Sequence, residues 1–263
     1  MAATLTLGEA ELERNLQKIY VVLREQTNHD FSLYKKNTIC RRIERRMSVH
    51  QISEISAYIR YLQESPQETN ILFKELLIGV TSFFRDPAAF DALSDRILLH
   101  LLEGKPADYV VRVWVPGCSS GEEAYSLAII FHECMESLQR VFNIQIFATD
   151  IDEDAVALAR AGLYPASIAT DVHDDRLKRY FAQEADGQYR ISKRIREMLV
   201  FAPQNAIKDP PFTKLDLLSC RNLLIYLGPE RQKRLLPMFH YSLKESCFWD
   251  RRNRSVVPTS SSA

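Results

Sequence analysis

The chain lacks an excess of either charge: lysine plus arginine and aspartate plus glutamate balance at 34 each in 263 residues. No global field therefore favours nucleic acid, whose binders carry a basic surplus. It also lacks a long apolar run of the ~20 residues that a membrane-spanning helix needs, and its first residues show no secretory leader pattern. Cysteine is sparse and odd in number, with five at 40, 118, 134, 220 and 247 and no CxxC pair. That argues for free thiols in a reducing cytoplasm and against a zinc site. Internal repeats and low-complexity tracts are missing too, apart from the terminal TSSSA.

What is present is enough apolar material for a core, at 46%, and one stretch around which the chain is organised. Residues 110–126, VVRVWVPGCSSGEEAYS, run from a β-branched apolar segment through Pro116-Gly117 to a small-residue loop and then a helical pattern. Strand, tight loop, helix is how open α/β folds bring backbone against a ligand at strand carboxyl ends. Glu122 and Glu123 fall in the first helical turn, where the helix dipole favours negative charge. A second apolar segment, 144–149, ends in Asp150-Ile151-Asp152. In a parallel sheet Asp150 lies beside the first loop, placed to accept hydrogen bonds from ribose hydroxyls. Paired carboxylates without a clean GxGxxG suit pyrophosphate poorly. A ligand with a ribose and a cationic group fits better, and S-adenosylmethionine has both.

In chain order, residues 9–26 and 32–49 are expected to be helices, the second with Ile39, Ile43 and Met47 on one stripe. Ser53 is expected to cap a third helix and Ser65 to Glu68 to form a capping box for a fourth. Residues 1–78 thus read as a small all-helical domain. Residues 80–85 are a linker or early strand with Phe83 and Phe84 in the core, and 87–102 a helix capped by Asp86. Strands at 110–115, 144–149, 198–201 and 215–219 alternate with helices at 122–138, 153–161 and 230–242. Asp152 is expected to cap the helix at 153. The segment 162–197 is polar and reads as helix and loop, with a helix at 174–182. The alternation implies a parallel sheet buried on both faces.

Four segments, TSFFRDPAAF (81–90), RVWVPGCSSGEEAYSLAI (112–129), FATDIDEDAVALARAGLY (147–164) and LLSCRNLLIYL (217–227), together resemble the chemotaxis receptor methyltransferases of the CheR type. LLIGVTSFFRDP and PPFTKLDLLSCRNLLIYL look most like the variant fused to a receptor methylesterase, although no esterase part is present. The resemblance implies a Rossmann-like S-adenosylmethionine-dependent methyltransferase domain at 79–245 behind the helical domain, methylating glutamates of a chemoreceptor or similar coiled-coil protein. It implies cofactor contacts at Gly79, Thr81, Arg85, Glu123, Asp150, Asn205, Ala206, Arg221 and Asn222. Gly79 stands where the family has Asn, which removes one side-chain contact. Arg85 and Tyr226 are the residues expected to position the reacting groups. The matching basic helix of the family meets the receptor, which makes Arg41, Arg42, Arg45 and Arg46 the expected partner surface.

A carboxylate nucleophile is already ionised at neutral pH, since an unperturbed glutamate titrates near pH ~4.3, so the reaction needs no general base. Two other readings stand beside it. One is a binding module that docks partners through helix 35–46. The other is a serine hydrolase, because Gly117-Cys118-Ser119-Ser120-Gly121 fits GxSxG, with His173 or His240 as partner. Cys118 is expected to be a loop filler. Family members continue after the 230–242 helix with three further strands, whereas this chain reads ESCFWDRRNRSVVPTSSSA. The stretch 246–263 is therefore expected to be non-native or disordered, from a frameshift near 244–247. The sheet is expected to stop after its fourth strand, in the order 3-2-1-4, leaving apolar residues of 215–219 uncovered.

Overall fold

The structure, a computed structural model of the chain, describes residues 8–77, 79, 81–94, 98–106, 108–221, 223–244, 247–250 and 255–258. The chain forms two compact units: Met1–Ile78 with Leu224–Lys233, and Gly79–Leu223 with Arg234–Ala263. The first unit therefore includes a late segment, 224–233, that the sequence reading leaves with the second. Among the described residues no helix is long and apolar enough to cross a membrane.

In the first unit α1 (Glu9–Thr27), α2 (Lys36–Val49), α3 (Ile55–Glu64) and α4 (Pro66–Leu76) pack around Leu16, Ile19, Leu23, Ile39, Ile43, Tyr58 and Leu72. These residues recur at helical spacing, so each helix buries one stripe. Arg46 belongs to that interior and not to the basic surface: it is 9% exposed and grips Glu68 with Nε and Nη2 at 2.8 and 2.5 Å. Tyr58 Oη donates to the same carboxylate at 2.8 Å, and His50 Nε2 lies 2.8 Å away. The capping box is consequently half formed. Ser65 Oγ accepts from Glu68 N at 3.3 Å, but the Glu68 side chain is taken by Arg46. The third helix has Glu54 and not Ser53 at its N-cap. The late segment docks by backbone: Gly228 N donates to Leu33 O at 2.7 Å and Lys35 N to Tyr226 O at 3.2 Å. Arg231 Nη2 donates to Asp30 O at 2.5 Å.

The second unit is built on four parallel strands: β1 (Val110–Pro116), β2 (Asn143–Asp150), β6 (Leu199–Pro203) and β7 (Leu217–Leu218), in the order β6-β2-β1-β7. This is the 3-2-1-4 order expected of the first four strands. Val113, Trp114 and Val115 are all fully buried, as a strand covered on both faces requires. α7 (Glu122–Ser137) and α8 (Glu153–Ala161) make the crossovers. The helix expected at 87–102 is described as α5 (Pro87–Leu93) and α6 (Leu99–Leu102), and of the expected linker or early strand the described residues 81–85 form a linker, with a turn at Phe83-Phe84.

The polar stretch 162–197 is a correction. It holds a second sheet, order β3-β5-β4, of β3 (Leu163–Tyr164), β4 (Phe181–Gln183) and β5 (Tyr189–Ile191), with α9 (Asp174–Tyr180) and α10 (Lys193–Arg196). Strands of two or three residues leave no readable period. The edge at β7 is also not uncovered: Leu215, Leu217 and Leu218 are at most 1% exposed. After α11 (Pro229–Ser242) the chain returns parallel to Leu215 and bridges it at Leu243. Lys244 Nζ then reaches the buried Asp216 at 2.7 Å. Beyond it, within the stretch expected to be non-native or disordered, β8 (Cys247–Asp250) and β9 (Ser255–Pro258) pair antiparallel; both are rich in residue types that favour strands.

Candidate cofactor site

The carboxyl ends of β1 and β2 lie side by side, with Pro116 opposite Thr149. Past β1 the backbone turns sharply, with φ of 73° at Gly117, 50° at Ser119 and 96° at Gly121. A Cβ on Gly121 would sit 2.9 Å from Ala159 Cβ, so only glycine fits there. The loop is tied to β2: Gly117 N and Cys118 N donate to Thr149 O at 2.7 and 3.0 Å, and Ser119 N donates to Asp150 Oδ2 at 2.7 Å. The other Asp150 oxygen accepts from Asp152 N at 3.0 Å. Asp152 in turn caps α8, accepting from Asp154 N and Ala155 N. Burial pushes the Asp150 carboxyl up, against the pull of these amide bonds.

Glu123 enters from the first turn of α7. Ser219 Oγ donates to its Oε1 at 2.6 Å. Loss of water pushes this carboxyl up as well, and Ser219, Arg221 and Arg85 pull it down. The Cys118 thiol, 1% exposed, is raised by burial and then by both Asp150 and Glu123. Both acids are thus near enough to the buried Cys118 to act on its thiol, one held by the 117–121 loop and the other in the first turn of the helix that follows it. Cys118 fills the loop between them.

A third wall comes from residues 81–86. Burial raises the Glu122 carboxyl, and Ser120, whose Oγ donates to it, and the Thr81 side chain are among the groups that pull it down. Phe84 N donates to Ser126 Oγ at 3.0 Å, and Ser126 Oγ donates to Glu122 O at 2.7 Å, which pins the turn to α7. Phe83 is 2% and Phe84 4% exposed, both in the core. Phe84 (φ 48°) and Asp86 (φ 60°) are left-handed without being glycine, a conformation that costs about 1–3 kcal/mol per residue and persists only where surroundings enforce it. Arg221 crosses from the end of β7, its Nη2 3.2 Å from Asp86 Oδ2 and its guanidinium 4.5 Å above the Phe90 ring.

Thr81, Arg85, Glu123, Asp150 and Arg221 are thus gathered by the fold. Asn205 and Ala206 follow the tip of β6, whose Gln204 N donates to Asp150 O at 2.9 Å. Asn205 Oδ1 accepts from Ile207 N within its own loop, and Ala206 is buried. Gly79 is exposed, and Asn222 lies outside the described residues. Tyr226 belongs to the first unit. Sequence reasoning missed Ser219 and Gln204. Ser219 stood within the LLSCRN motif, one residue before Cys220, and that adjacency was the available signal. The hydrolase reading finds Ser119 in a left-handed turn, but its amide is committed to Asp150. His173 Nδ1 accepts from Asp175 N at the start of α9, and His240 is exposed.

These residues fit S-adenosylmethionine. Two carboxylates removed from water gain from a cation, and a glycine cradle admits close approach of a ribose. Gln204 Oε1 is buried with no partner, an acceptor left for a ligand donor. Comparison with known proteins agrees. Residues 14–77 match the CheR methyltransferase all-alpha domain and residues 79–248 the CheR methyltransferase SAM binding domain. The chain is 41% identical over 229 residues to a 104.1 kDa protein in the hypE 3'region of Rhodobacter capsulatus, covering 87% of this chain and 24% of that protein. It is 28% identical over 250 residues to a chemotaxis protein methyltransferase of Borreliella burgdorferi, covering 93% and 87%. It is 29% identical over 224 residues to chemotaxis protein methyltransferase 2 of Vibrio cholerae, covering 83% and 77%. The chain therefore spans about a quarter of the first relative and most of the other two. Matched in both its helical and its cofactor-binding parts, the chain belongs to the CheR methyltransferase family, whose cofactor is S-adenosyl-L-methionine.

Proposed function

We propose that this chain esterifies glutamate side chains of a chemoreceptor-type coiled-coil protein. The observation that carries the reading is that the amide of Ser119, in the loop after β1, holds Asp150, while Glu123 stands in the first turn of the helix that the same loop opens. Glu123 would hold the amino group of the cofactor and Asp150 its ribose hydroxyls. The bound cofactor supplies an electrophilic methyl group on a sulfonium. An acceptor that is already an ionised carboxylate would take that methyl without giving up a proton, so the chain's own residues need supply no base. The chain's own contribution is then alignment and exclusion of water, which in favourable cases lowers a barrier by roughly 7–11 kcal/mol.

Arg85 offers a forked donor to a carboxylate of cofactor or substrate. Tyr226 is assigned the orientation of the substrate glutamate by its place in LLSCRNLLIYL. Arg41 and Arg45, exposed on α2, and the half-buried Arg42 form the partner surface for an acidic receptor helix. The free thiols of Cys40 and Cys118 suit a reducing compartment, the cytoplasm. The test is transfer of tritiated methyl from S-adenosylmethionine to a receptor methylation-region fragment, followed by alkaline treatment. A carboxyl ester releases labelled methanol under alkali. Label that resists alkali, or none at all from a cofactor-binding preparation, sinks the glutamate assignment.

A further inference from the structure

Phe84 is an aromatic residue in a backbone conformation that favours glycine, at φ 48°, directly before Arg85. Something must hold it there. Its amide is fixed by Ser126 Oγ at 3.0 Å, and one edge of its ring meets Phe90 at 5.6 Å. Above the ring, at 4.4 Å from the centroid, lies the Arg176 guanidinium from α9. That guanidinium is itself oriented: Arg176 Nε and Nη2 donate to Glu133 Oε1 and Oε2 on α7 at 3.0 and 2.8 Å. A two-bond fork fixes the plane of an arginine as a single ion pair does not. α7 thus grips the turn twice, through Ser126 and, by way of α9, through Glu133.

We propose that Arg176 and Glu133 are positioning residues for the cofactor turn, a clamp that keeps Phe84 left-handed and so sets the direction of Thr81 and Arg85. Neither residue touches the cradle acids. The proposal rests on the cofactor reading of that cradle. A purely structural alternative is that the pair only ties α9 to α7. The fold supplies its own control for this, because Arg179 and Glu136 also join α9 to α7, and the Arg179 guanidinium lies over the Tyr180 ring.

The experiment compares the full chain with Arg176→Ala, Arg176→Lys, Glu133→Gln and Glu136→Gln. Two quantities are measured: the Kd for S-adenosylmethionine by titration calorimetry, and hydrogen exchange of the 81–86 peptide without ligand. Arg176 and Glu133 are a partly exposed pair, 28% and 25%, so the folded state should survive their loss, which the melting temperature monitors. The clamp predicts about a 2- to 30-fold rise in Kd for Arg176→Ala and Glu133→Gln, with faster exchange in 81–86. Arg176→Lys should restore neither, since an ammonium has no planar face to lay on the ring. Glu136→Gln should match the unmodified chain. Unchanged Kd and exchange in the first two variants overturn the clamp, as does an equal effect of Glu136→Gln. If the unmodified chain binds no S-adenosylmethionine, the cofactor reading fails, and the exchange data still decide whether the clamp exists.

Discussion

Ser219 donates to Glu123 where burial works against the charge, and this hydroxyl favours the ionised form more than Arg221 or Arg85 does. A cationic cofactor binds the ionised carboxylate, so affinity should fall as pH drops through the raised pKa of Glu123. Ser219→Ala removes a lowering influence, and the pKa then rises further. The fall should begin at a higher pH in the variant, with affinity at neutral pH reduced about tenfold, as expected for a lost hydrogen bond to a charged group. Calorimetric Kd values across a pH series check this; superimposable profiles would remove Ser219 from the site. Glu68 is the opposite case. Burial pushes its carboxyl up, but hydrogen bonds from Arg46, Tyr58 and His50 outweigh this and hold it below its ordinary value. Its stabilisation is therefore complete above the unfolded-state pKa and is lost as pH falls through the folded-state value. Glu68→Gln leaves the buried Arg46 only its longer ion pair to Glu75, at 3.4 Å, and should cost about 3 kcal/mol, read as a lower midpoint in urea, with a shallower acid limb.

At the scale of single elements, α2 carries two kinds of arginine. Reversing Arg41, Arg42 and Arg45 together should slow receptor methylation, most at low salt, and leave the S-adenosylmethionine Kd unchanged. Arg46→Glu should instead unfold the helical unit, because it places a second acid against Glu68. Equal loss of cofactor affinity in the triple variant would count against a docking role. The difference between these arginines was partly legible. Arg46 falls three residues after Ile43 and seven after Ile39, the spacing of the buried stripe, whereas a count of cations along the helix treats all four alike. The strands of the main sheet and the acid at the end of β2 were legible because long apolar runs end at proline, glycine or aspartate. The small sheet at 163–191 was not, since its pairing depends on neighbours and not on local pattern. Nor was the Ser219–Glu123 bond, which joins residues 96 apart in sequence.

Across the whole molecule, the helical unit is discontinuous. Gly228 lies against Leu33, and a Cβ there would stand 2.7 Å from Leu33 O, a clash with backbone that no side-chain shift relieves. Gly228→Ala should therefore lower the melting temperature by several degrees, about 2–4 °C for each kcal/mol lost in a protein of this size. Calorimetry checks it, and an unchanged melt would mean that the 224–233 segment contributes nothing to the unit. The same arrangement has a consequence for synthesis. A chain emerging from the ribosome presents α1 to α4 before the sheet, yet the strap that closes over Leu33 and Tyr34 is separated from them by residues 79–223. Vectorial folding, which elsewhere completes amino-terminal domains first, here leaves the earlier-made helices waiting, their docking groove open to chaperones, until the sheet has been translated.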